Sequence, residues 1–540
     1  MTNRYAWAQR GDINAFFGLM IDNVAVMIFL LTLITSANPA SDGHFSRDFV
    51  FTQMIPGTAL GVVLGDLVYT WLAFRLARRK GHSDVTAMPL GLDTPSTIAV
   101  GALVLLPSLK HGIQAHGYNH EQAMFFAWHV GAMLLVMIGV CKSIVAPLGT
   151  AIRKWVPRAG LLGSLAGIAL ALIALVPLWE DIVAIPLVGL VTLIAILVTL
   201  VAHHPLPGRI PGALATVILG VALYWSFASL GPSLGVTLLP MPEHQTAAAW
   251  RLPEFFPECS QNWPWWQRVF THAMTLMPVM LPFALATVVG GIDCTESAAA
   301  AGDEYDTRSI LWTEGLASVL AGLFGGVIQT TPYIGQPAYK TMGGRAAYTL
   351  ATALFIGVAG GLGWFAHLFE WLPQVACFPI LVFVGLEIGA QSFRATPTRH
   401  YAALALAMLP ALAYLATIPL DMALGDRQPD AASKILALRC LANGFIITSL
   451  LWASTLAAIL DRQMFRAAAY LGVAGICSLV GVIHSPLTPA VIGWPWDVYA
   501  KLPQSPEVLC QSPYHWAGGY LLAAILVMGI GWTTVDTMAR

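Results

Sequence analysis

Two carboxylates three residues apart, Asp293 and Glu296, stand in Gly290-Gly-Ile-Asp293-Cys-Thr295-Glu296-Ser297, directly after the apolar run 276–289. On a helix this spacing puts both acids on one face. Neighbouring carboxylates repel, so one can hold a proton at neutral pH, while an ionised pair can hold Na⁺. Both acids are therefore candidates for cation coupling and for substrate binding. The plainer alternative is a solvated helix end, continued by Asp303, Glu304 and Asp306.

A second cluster is Gly91-Leu-Asp93-Thr94-Pro95-Ser96-Thr97, an acid and three hydroxyls beside a proline at the start of an apolar segment. Backbone groups freed next to proline need partners, and a polar cavity supplies them. A helix beginning there aims its free N–H groups at a ligand, although Asp93 or Thr94 can equally be a simple N-cap. The third cluster, Gln329-Thr-Thr331-Pro332-Tyr333-Ile-Gly335-Gln336, offers amides, hydroxyls and exposed backbone to a planar polar ligand. Asp93, Thr94, Ser96, Thr331, Gly335 and Gln336 join the two acids as candidate substrate-binding residues. Asp22 and Asn23, about ten residues into the first apolar segment, and Glu387, in another apolar run, are secondary candidates.

His203-His204 before Pro205, and His111, His116 and His120, lack metal-ligand spacing, and no cysteine pair forms a C-x-x-C motif. No metal and no cofactor are expected beyond a coupling H⁺ or Na⁺. Cys259 and Cys510 fall in two polar loops where a disulfide is conceivable.

Elements of unusual composition must position these residues. The chain has 540 residues, 57% hydrophobic and 10% charged, with 49 glycines, 34 prolines and a formal net charge of −1. Globular domains carry about 25% charged residues. A soluble enzyme, a disordered chain and a disulfide-rich secreted domain are excluded, and no basic footprint for nucleic acid is present. The expectation is an all-α polytopic membrane protein. Apolar segments are read at about 13–35, 50–74, 88–107, 122–146, 159–178, 183–202 and 211–230 in the first half. The second half gives 272–300, 309–328, 332–342, 346–369, 374–393, 400–418 and 436–459, with two further segments at 466–484 and 517–537. The polar N-terminal stretch runs straight into the first full-length segment, with no signal-peptide cleavage site.

The segments at 88–107 and 332–342 carry prolines and glycines and read as broken half-helices in matching places of an inverted seven-plus-seven repeat. The expected division is 1–230, an outer loop 231–269, a second repeat 270–460, and additional C-terminal segments 461–540. With the N-terminus inside, 19 of the 27 Lys and Arg residues fall on the cytoplasmic side, Lys142 among them. Both termini are thus expected in the cytoplasm of an inner-membrane protein.

The stretch 276–348 resembles the nucleobase–cation symporter family of uracil, xanthine and purine permeases. The similarity lies in Ile292-Asp293-Cys-Thr-Glu296-Ser297, Glu314-Gly-Leu-Ala-Ser-Val-Leu-Ala-Gly322-Leu-Phe-Gly325, Thr330-Thr-Pro-Tyr333-Ile334 and Gly343-Gly344-Arg345. Pro89-Leu-Gly91-Leu-Asp93 is similar to the Gly-Leu-Asn motif of the adenine–guanine–hypoxanthine branch. The resemblance implies the uracil-permease fold, with a core and a gate domain that often dimerises. It also implies a substrate held between the third and tenth segments, Asp293 as the substrate-binding acid, and proton- or sodium-coupled uptake of a purine-like nucleobase. Gly335 and Gln336 stand where the family usually carries a glutamate, which leaves a transporter or exchanger of an anion or another small polar solute on the same fold as the alternative, and a non-transport membrane scaffold as the third reading.

Overall fold

The computed structural model describes the chain except for residues 1–4, 36–43, 82–83, 205, 208–209, 211, 234–237, 240–262, 425–432, 488–491, 504 and 540. Most of the outer loop, and Cys259 with it, lies outside the described residues.

The expected all-α polytopic class is what the structure shows. Among the described residues, seven helices are long and apolar enough to cross a membrane, or eight if one bent pair is counted as a single span. In the first half, α1 is Gly11–Thr35, α2 is Ile55–Lys80, and a short strand β1, Leu90–Leu92, leads into α3. Helix α3 begins as Thr94–Ala99 and continues through Val100–Leu105 into Leu106–His116. There follow α4, His120–Val145, α5, Arg158–Ile182, α6, Pro186–Val201, and α7, Gly212–Ser233.

The second half opens with α8, Trp263–Ala300, and α9, Thr307–Leu323. A second strand, β2, Thr330–Pro332, precedes the short α10, Gln336–Thr341. Then come α11, Ala347–Gly361, α12, Pro379–Ala395, α13, Tyr401–Leu424, and α14, Phe445–Leu460. Two last helices, α15, Met464–Leu479, and α16, Pro513–Ala539, pack against each other.

The two broken segments differ from half-helices in one respect: each begins as a strand. Proline has no N–H for a helical ladder, so the chain around Pro89 and Pro332 stays extended and pairs with itself. β1 and β2 are antiparallel, with Gly91 opposite Thr331. Tyr333 N donates to Pro89 O at 2.8 Å and Asp93 N to Gln329 O at 3.2 Å, closing both ends of the crossing. Thus the backbone polar groups are satisfied within the protein, as a buried irregular segment requires.

Small residues set the spacing around this crossing. A Cβ on Gly139 of α4 would lie 2.7 Å from Gly315 O of α9, so only glycine permits these two helices to touch backbone to backbone. The segment expected at 436–459 is bent by 81°. Its pivot is Gly444 (φ +72°), where a Cβ would stand 2.2 Å from Val482 O.

Candidate functional site

A pocket of about 80 Å³ opens where the crossing faces α5, α8 and the start of α14. One water needs roughly 10–15 Å³ on this measure, so a small solute with its nearest waters fits. The polar wall is Asp22 from α1, Asp93, Thr331 and Tyr333 from the crossing, and Thr287 and Cys294 from α8. The opposite wall is aliphatic, with Leu165, Ile168, Leu172 and Ile173 of α5 and Ile446 of α14.

Asp93 is the N-cap of α3: its Oδ2 accepts from Ser96 N at 2.8 Å, and Gln329 Nε2 approaches the same oxygen at 3.4 Å. The cap reading and the pocket reading therefore both hold for this residue. Ser96 is buried and its hydroxyl donates to Asp93 O at 3.2 Å, so it serves the turn and does not line the pocket. The side chain of Thr94 lies outside the described residues. Asp22 is buried and faces the pocket, and its carboxylate and the Tyr333 hydroxyl lie close enough to interact without an aligned hydrogen bond. Asn23, one residue on, turns back to donate to Leu19 O at 3.1 Å.

The remaining candidates lie outside the lining. Asp293 is buried, receives the Ser164 hydroxyl of α5 on Oδ2, and leaves Oδ1 without a partner. Glu296 is clamped by Arg153 Nε at 2.7 Å and Arg158 Nε at 2.6 Å. The two acids share a helix, as their spacing predicts, but one ties α8 to α5 and the other sits in a double ion pair. Gly335 caps α10, and Gln336 is buried with Nε2 on Asp303 Oδ2 at 2.8 Å. Glu387 pairs with Arg394 at 3.1 Å at a solvent-facing rim. The structure thus brings Asp22, Asp93 and Thr331 to one pocket and distributes the other candidates around it. Among the described residues, no group of three or more His, Cys, Asp or Glu side chains is arranged to hold a metal ion.

Behind β2 lies an ion pair that sequence reasoning missed. Lys142 Nζ of α4 stands 2.8 Å from Glu314 Oε1 of α9, with both side chains fully buried. The same ammonium donates to Thr330 O of β2 at 3.0 Å. Lys142 belongs inside the protein, so its assignment to a cytoplasmic loop is corrected. The Gly139–Gly315 contact explains the burial, because it draws together the two backbones that carry the charges. Gly291 of α8 completes the recess: a Cβ there would lie 2.9 Å from Glu314 Oε2. The available signal was one lysine and one glutamate in two otherwise apolar segments, each beside a glycine that allows close packing.

No family model matches the chain, and no curated protein matches it. Among solved structures, it is similar to the transmembrane domain of a cyanobacterium bicarbonate transporter, BicA, with a TM-score of 0.42 and 16% identity over 77% of this chain and 98% of that one. It is also similar to SLC26A9, with a TM-score of 0.40 and 12% identity over 74% of this chain and 61% of that one. These findings correct the resemblance to the nucleobase–cation symporters. No family model supports it, and the matches named here are a bicarbonate transporter and SLC26A9 rather than a uracil, xanthine or purine permease.

Proposed function

We propose that the chain is a secondary transporter of a small polar solute, with small anions as the first class to test. One observation carries this reading: β1 and β2 pair antiparallel, so the two interrupted elements meet at a pocket between the crossing and the aliphatic face of α5. Interrupted helices at such a meeting are how membrane transporters place free backbone groups around a solute. The anion version is supported by the N-terminal end of α3, which carries a partial positive charge, whereas the Lys142 ammonium behind β2 is balanced by Glu314. Asp22 and Asp93 oppose an anion unless a proton or cation accompanies it, which favours coupled movement. Of the two acids expected to couple, Asp293 retains an oxygen without a hydrogen bond, whereas Glu296 is held by two guanidinium groups; the secondary candidate Asp22, which lines the pocket, also retains one.

In this proposal the crossing and the helices around it form a core that moves against a gate containing α5 and α14, within the repeats 1–230 and 270–460. The termini face the cytoplasm, and two copies meet through the gate. The test uses purified full-length protein on a solid-supported membrane. Chloride, bicarbonate and sulfate are added in turn, with an uncharged polar solute of similar size as the comparison. A current or a concentration-dependent rise in Tm for an anion, weakened by Thr331→Val, is the expected result. A folded protein that answers to none of these solutes would remove the proposal.

A further inference from the structure

Five polar atoms near the crossing are buried without a hydrogen-bond partner: Asp22 Oδ2, Tyr333 Oη, Tyr339 Oη, Asp66 Oδ2 and Gln336 Oε1. None of the five side chains is more than 5% exposed. A single dry orphan is costly, and native proteins meet such groups with internal water. Here the orphans are contiguous. Asp22 and Tyr333 line the same pocket, and a Cβ on Gly18, one turn before Asp22 on α1, would lie 3.3 Å from Tyr339 Oη. Asp66 Oδ1 accepts from Leu90 N of β1 at 2.9 Å, next to Gly91, where a Cβ would lie 3.2 Å from the Tyr333 Cβ. The Tyr333 and Tyr339 rings stack at 6.0 Å between centroids. Gln336 lies three residues before Tyr339 on α10, hence on the same helix face.

The series has two distinct ends. At one end Asp22 and Tyr333 line the solute pocket. At the other, Gln336 Nε2 binds Asp303 Oδ2, and Asp303 Oδ1 pairs with Lys340 at 2.8 Å. The Lys340 side chain is 17% exposed, so this end reaches solvent. Two further charged groups near that end are occupied by backbone: Asp12 accepts from Arg345 N and Tyr348 N, and Arg345 donates to Gly344 O.

We propose that Asp22, Tyr333, Tyr339, Asp66 and Gln336 line a file of water that carries protons between the pocket and the Asp303–Lys340 face. The coupled ion at the site is then the proton. It moves by exchange of O–H bonds along the file, with no net change in any side chain and no co-reactant. This deepens the transporter reading and rests on it.

The file is tested directly by radiolytic hydroxyl-radical labelling of the intact protein, which marks side chains beside internal water. Tyr333 and Tyr339 should be modified several-fold faster than Phe126, which is equally buried in an aromatic cluster. Labelling no faster than Phe126 would overturn the proposal. Tyr339→Phe removes a hydroxyl that makes no aligned hydrogen bond to the protein, so the variant should fold. Its Tm should be unchanged or lower if the hydroxyl is hydrated, and higher if it is dry, which counts against the file. In pyranine-loaded proteoliposomes under an imposed proton gradient, Tyr339→Phe should admit protons several-fold more slowly than wild type. Equal rates sink the conducting role. A solute current without labelling of the two tyrosines discards the file and keeps the transporter, whereas labelling without any solute current does the reverse.

Discussion

Lys142 Nζ lies between Glu314 Oε1, at 2.8 Å, and Thr330 O, at 3.0 Å, so one buried ammonium joins α4, α9 and β2. Removing one partner of such a pair strands a charge at about 3–5 kcal/mol. Lys142→Met should therefore lower the melting temperature sharply, and adding Glu314→Gln should restore much of it. If the double variant melts no higher than Lys142→Met, the two groups are not coupled.

The clamp on Glu296 is unequal. The Arg153 side chain is 14% exposed and that of Arg158 is 56% exposed. Exposed ion pairs contribute about 0–1 kcal/mol, whereas a charged hydrogen bond in a buried setting contributes roughly 1.5–3 kcal/mol. Arg153→Ala is expected to reduce stability clearly more than Arg158→Ala in paired thermal melts. Equal losses would mean that water screens both contacts alike.

Cys294 lines the pocket and is almost fully buried, with Sγ on Pro332 O at 3.3 Å. Alkylation by a small maleimide, followed by peptide mass spectrometry, should be slow here compared with the exposed Cys510. A solute that occupies the pocket should slow it further. Protection that appears equally at Cys510 would show that the solute acts elsewhere.

Burial raises the carboxyl of Asp303 above its ordinary 3.8, and the ammonium of Lys340 is the first influence to oppose that rise. Above pH 3.8 the folded state therefore binds more protons at this group than the unfolded state does. This group's contribution to stability must fall as pH increases through the window that begins there. Melting temperatures measured across mildly acidic pH should carry that downward slope, and Asp303→Asn should remove it. An unchanged slope in the variant would assign the effect to another acid.

Much of the architecture was legible because hydropathy and proline placement act locally. The apolar run 276–289 lies within α8, and the prolines at 89 and 332 mark the two interruptions, Pro89 just before β1 and Pro332 at the end of β2. The pairing of the two broken segments needed a three-dimensional contact between residues about 240 apart, which no local pattern contains. The same limit applies to the site. Asp93 and Thr331 could be singled out by composition, but Glu296 meets Arg153, on the short helix Gly149–Trp155, and Arg158, the first residue of α5, only through a contact more than 130 residues away in sequence. Lys142 was misplaced because a charge near the end of an apolar run looks identical whether it reaches solvent or a buried glutamate.

Three tyrosines from distant parts of the chain fasten three successive carbonyls just before β1: Tyr5 on Val85 O at 2.7 Å, Tyr305 on Thr86 O at 2.6 Å, and Tyr348 on Ala87 O at 2.6 Å. A shift of β1 by a single residue would misalign all three rivets together. β1 is therefore pinned to the three parts of the chain that carry these tyrosines, and any displacement of it has to take them along.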